Sequence, residues 1–94
     1  MADPELAERT VVITSEPGLD IGAAAKLVQL ANAFACDIRL ANEGRGVNAK
    51  SIMGVLMLGA ARGSTLVITA YGDRATDAVE SLARLVASGF EAES

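Results

Sequence analysis

Two periods run through the apolar positions of this chain. Residues 9–14 are β-branched over Thr10, Val11, Val12, Ile13 and Thr14, which predicts a first strand. From Ala24 the spacing changes. Ala24, Leu27, Val28, Ala31 and Phe34 recur at three- and four-residue intervals and form one apolar stripe on a helix. Lys26, Gln29 and Asn32 fall off the stripe and are expected to face solvent or a partner. Asp37, Ile38, Arg39 and Leu40 alternate polar and apolar, predicting a half-buried strand. Asn42-Glu43-Gly44 reads as a turn into a short returning strand over residues 45–48, which closes a hairpin. Residues 49–58 read as a short apolar helix containing Gly54, with Gly59 and Gly63 bracketing the loop that leaves it. Leu66, Val67 and Ile68 centre a last strand that ends at Tyr71, before a Gly72-Asp73 turn. Ala75, Ala78, Val79, Leu82, Leu85 and Val86 then form a second helical stripe. Asp73, Asp77 and Glu80 fall near its start, where the helix dipole favours acids.

The predicted order is β-α-β-β-α-β-α, with a single stripe on each long helix and one polar face on the strands. Such a pattern buries its apolar surface best with helices on one face of a four-stranded antiparallel sheet. The expected class is therefore α+β, an open-faced two-layer sandwich. Residues 1–8 are expected to be a polar N-terminal tail, 9–88 the domain and 89–94 a C-terminal tail.

Composition narrows the class. Ninety-four residues make one domain whose core is only just sufficient. An apolar fraction of 51% lies above the disordered range, and 3% aromatics with many alanines suggests close packing of helices on the sheet. The net charge of −4 argues against nucleic acid and anionic membrane surfaces as partners, since both select for Lys and Arg clusters. The lone Cys36 excludes an internal disulfide, fits a reducing compartment and reads as a small apolar filler. No apolar run approaches the roughly 20 residues needed to span a bilayer. Residues 1–8 are acidic and lack the apolar centre of a signal peptide. A soluble cytoplasmic domain without cofactor or metal is expected.

Candidate chemistry concentrates in residues 16–26. Pro17 and Gly18 break the first strand, and Asp20 falls where the next helix takes its N-cap. The helix N-terminus behind it carries about half a positive charge and several unpaired N–H donors, which suits an anion.

Gly18-Leu19-Asp20 followed by Ala24-Ala25-Lys26-Leu27-Val28 resembles the active-site segment of the histidine-containing phosphocarrier (HPr) family of the bacterial sugar phosphotransferase system. A second stretch, from Gly46 to Ala60 with Lys50-Ser51-Ile52-Met53 at its centre, is similar to that family's second signature almost residue for residue. The resemblance spans residues 9–86 and implies the same fold. In the first segment the family usually reads Gly-(Leu/Ile)-His-Ala-Arg-Pro-Ala. Here Asp20 replaces the histidine, Gly22 the arginine that pairs with the phosphoryl oxygens and Ala23 the proline, and the chain contains no histidine. Phosphohistidine transfer is closed to it.

Three readings of Asp20 stay open: a helix cap, a fixed negative charge standing where phosphohistidine would sit, and an acyl-phosphate acceptor. The last needs a metal held by neighbouring carboxylates, and Glu16 is the only acid near it in sequence. Ser51 reads either as the cap of the short helix or, as the family implies where a serine kinase is present, as a regulatory phosphorylation site. Val55 and Leu58 are expected in the core, and Lys50 as a solvated charge. By resemblance, Ile52, Met53 and Leu56, with Asp20, Ala25 and Gln29, form a surface that docks other proteins, and methionine suits adaptable contacts. The implied partners are phosphotransferase-system components, a serine kinase or a transcription regulator. The leading expectation is a regulatory or partner-binding module rather than an enzyme. An Asp20 phosphocarrier and a purely structural domain are the alternatives.

Overall fold

The computed structural model describes residues 4–91. It contains β1 (Glu5–Val12), α1 (Ile21–Ala31), β2 (Asp37–Asn42), β3 (Arg45–Asn48), α2 (Ile52–Leu58), β4 (Thr65–Gly72) and α3 (Ala75–Ala87). The strands form one antiparallel sheet in the order β1-β4-β2-β3. β1 and β2 flank β4 and run parallel to each other, as do β3 and β4 on either side of β2. The chain is thus two interleaved split β-α-β units, and this is the expected α+β open-faced sandwich. Among the described residues no helix is long and apolar enough to cross a membrane.

All three helices cover one face. α3 lies over β1 and β4, α2 over β3 and β2, and α1 packs against both other helices. Most of the predicted stripe positions supply the core, but Val28 is half-buried and Phe34 lies past the end of α1, half-buried against the core, because the helix stops at Ala31. Ala24, Leu27 and Ala31 of α1 are buried, as are Ala75, Ala78, Val79, Leu82, Leu85 and Val86 of α3. They meet Ile38 and Leu40 of β2 and Leu66, Ile68 and Ala70 of β4. The alternate residues of β4, among them Thr65, Val67, Thr69 and Tyr71, point to the open face. Cys36 is buried as a filler: a Cβ on Gly72 (φ +125°) would come within 3.2 Å of its Cβ.

Several boundaries differ from expectation, each for a physical reason. β1 begins at Glu5, so residues 5–8 belong to the sheet and not to a polar tail. It is an edge strand, and polar side chains suit its rim. Glu5 accepts a hydrogen bond from the Thr76 amide of α3, and Arg9 pairs with Glu80. The domain also runs past residue 88. Phe90 is buried, and its amide donates to the Leu85 carbonyl at 2.9 Å. The other residues of the expected tails, 1–3 and 92–94, lie outside the described residues. α2 starts only at Ile52, because Asn48 holds residues 49–51 in a turn. Its side chain accepts from the Lys50 amide (2.9 Å) and its carbonyl from that of Ser51 (3.1 Å).

Candidate functional site

The loop from β1 to α1 is held from beneath by the segment that follows α2. The Leu19 amide donates to the Ala60 carbonyl at 3.0 Å, and the Leu19 side chain is buried. Gly18 has φ +102°, and a Cβ there would stand 2.7 Å from the Ala60 oxygen, so only glycine fits. Glu16 and Arg62 pair across the same junction at 2.9 Å in the open.

Asp20 is delivered to the surface by this loop. Its backbone is extended, and its carboxylate accepts the Ala23 amide at 2.9 Å, so it caps α1 as the sequence predicts. It stands on a shallow cleft shared with Glu16, Gly22, Lys26 and Phe90. Gly22 has no side chain and so adds no charge to the cleft. Lys26, one turn on, donates its Nζ to the Phe90 carbonyl at 2.8 Å. Ser15 also lines the cleft, and its Oγ is buried with no hydrogen-bond partner among the described residues. No group of three or more His, Cys, Asp or Glu among the described residues could hold a metal ion.

α2 runs antiparallel to α1. At one end Leu19 meets Ala60, just past α2; at the other the Lys50 Nζ donates to the Phe34 carbonyl at 2.7 Å. Lys50 is therefore a tie between the helices and not the solvated charge expected of it. Ser51 caps α2, its Oγ accepting the Gly54 amide at 3.1 Å, and is half-buried. Val55 and Leu58 are in the core as expected. Of the expected docking residues, Met53 is 65% exposed and Ile52 only 36%, while Leu56 is half-buried against the core. Ala25 and Gln29 are exposed one turn apart on α1, and Gln29 turns towards a groove beside α3.

Two apolar residues outside the expected docking set are also exposed. Met57, one turn beyond Met53, is 68% exposed, and Ile21, next to the cap, is 69% exposed. Met57 follows Met53 at the i, i+4 spacing that puts two side chains on one helix face, and that signal was available. Ile21 carries no comparable signal, because it lies at the margin of the buried stripe.

The comparisons with known proteins bear on the whole of this geometry. A family profile described as "PTS HPr component phosphorylation site" matches residues 7–88. The chain belongs to the HPr family. The phosphocarrier protein HPr of Cupriavidus necator is 41% identical over 83 residues, covering 88% of this chain and 93% of that protein. Among solved HPr structures, HPr-C-His from Thermoanaerobacter tengcongensis superposes with a TM-score of 0.87 at 36% identity, over 94% of this chain and 99% of that one. Crh from Bacillus subtilis, a catabolite repression HPr, superposes with a TM-score of 0.72 at 40% identity, over 78% and 84%. The span matched to the HPr profile takes in Asp20, Ser51 and all of α2, and stops short of the buried Phe90.

Proposed function

We propose that this HPr-family chain, related to the phosphotransferase system, is a regulatory or partner-binding module that does not carry phosphohistidine. One observation carries the reading: an exposed carboxylate, Asp20, caps α1 in the segment that resembles the family's phosphorylated histidine site, and the chain has no histidine. A carboxylate at that helix end is a permanent negative charge which, standing where the loaded carrier would hold its phosphate, requires no donor. The exposed Met53 and Met57, with Ile21 and Ile52, supply apolar surface for proteins to grip. Ser51 lies beside that surface, and a phosphate on its Oγ would set about two negative charges next to Ile52 and Met53. Such a charge favours partners with arginine and repels those that need the surface dry.

The test is incubation with phosphoenolpyruvate and the phosphorylating enzyme of an intact system. No acid-labile label on the protein is expected, and its appearance would sink the reading. An acyl phosphate on Asp20 is the competing chemistry. It would give a label released by hydroxylamine and absent from Asp20→Asn. Capping is the better supported chemistry, because the carboxylate is engaged by the Ala23 amide and Glu16, the nearest acid in sequence, is paired with Arg62.

A further inference from the structure

Next to the Asp20 cleft, with which it shares Lys26 and Glu91, the helix layer holds a groove of about 540 Å³ between α1 and α3. That volume lies within the range of small-molecule sites, roughly 300–1,000 Å³. Its lining is mostly apolar, with Leu30 and Ala33 from the α1 side and Leu85 from α3. Lys26 stands on the α1 wall and Arg84 on the α3 wall, and Glu91 is the one acid of the lining. Arg84, like Arg39 and Arg45, makes no ion pair among the described residues. Lys26 gives one donor to Phe90 and keeps two more. In a chain of net charge −4, a mostly apolar lining that holds two cations and one acid is a local reversal of sign.

We propose that this groove binds a small amphipathic anion, its apolar body on Leu30, Ala33 and Leu85 and its single acid group between Lys26 and Arg84. Both parts are needed. The floor alone would not select for charge, and two surface cations alone hold an anion weakly in water. A carboxylate and a sulfonate or phosphate ester share the required chemistry, because the guanidinium of Arg84 can grip any of them by two oxygens.

The probe is 1-anilinonaphthalene-8-sulfonate, titrated into the intact chain and followed by its own fluorescence and by backbone amide shifts in NMR. The chain has no tryptophan and one tyrosine, so its own emission interferes little. One saturable site is expected, with shifts concentrated at Leu30, Ala33, Arg84 and Ser88. Arg84→Gln, at an exposed position, should weaken binding by about tenfold, the size of one lost charge-assisted contact, and Arg84→Glu, which also repels the acid group, by more. N-phenyl-1-naphthylamine, the same body without its acid, should bind the parent chain correspondingly less tightly. Met53→Ser should leave the affinity as it is. Dodecanoate should displace the probe if a carboxylate serves. Displacement only by a phosphate ester keeps the site and narrows its ligand. Non-saturating binding, equal affinity for the neutral body, indifference to Arg84→Glu, shifts centred on Met53 and Met57, or binding of an acidic peptide in preference to the probe would each overturn the proposal.

Discussion

At the scale of single residues, the cap and its neighbourhood give sharp expectations. Asp20→Ala removes the acceptor for the Ala23 amide and should cost about 1 kcal/mol. In a domain of this size that lowers Tm by about 4–8 °C in a thermal melt followed by circular dichroism. Asp20→Asn keeps an acceptor and should stay within a degree or two of the parent. An equal drop in both would mean that the charge, not the cap bond, is what α1 requires. Ser15→Ala should move the other way. It removes a buried hydroxyl with no partner, and a gain of up to about 1 kcal/mol in urea unfolding is expected. Asp20 was legible in the sequence because capping is local: the residue, the preceding Pro-Gly and the start of the following stripe lie close together in the chain. Lys50 and Ile21 were not. The carbonyl that takes the Lys50 ammonium belongs to Phe34, and only the antiparallel placing of α1 and α2 brings them together.

Among the elements, α2 separates packing from display. Val55 and Leu58 face the core and Met53 and Met57 face outwards, within seven helical residues. Leu58→Ala should therefore cost about 2–5 kcal/mol, as core truncations do. Met53→Ala should stay within about 0.5 kcal/mol of the parent, as surface changes do. Paired urea titrations decide this, and a large loss from Met53→Ala would mean that it is core after all. The helical stripes were legible because each long helix buries one side only. The beginning of β1 was not, because an edge strand buries little and its rim residues imitate a tail. Glu5 and Arg9 are polar because they reach to Thr76 and Glu80 of α3, contacts set by a sheet order that no local pattern encodes.

For the molecule as a whole, burial is spread unevenly over the sheet. β4 lies between β1 and β2 and buries Leu66, Ile68 and Ala70, whereas β1 reaches the core only through the half-buried Ala7 and Val11. The Arg9–Glu80 pair that helps hold β1 is more than two-fifths exposed at each partner and is worth under about 1 kcal/mol. Native-state hydrogen exchange should consequently find the β1 amides opening at lower free energy than those of β4. Equal protection in the two strands would show that the sheet opens as one unit. The overall architecture could be read from the chain because its two periods and seven elements admit few layered arrangements; which helices flank α1 could not, since both neighbours are far away in sequence. A strand seated on one partner only, with two small side chains at the core, is the part that a bulky fusion before Glu5 would disturb first. Labels and immobilising groups therefore belong elsewhere, on the exposed sheet face or the far side of α3.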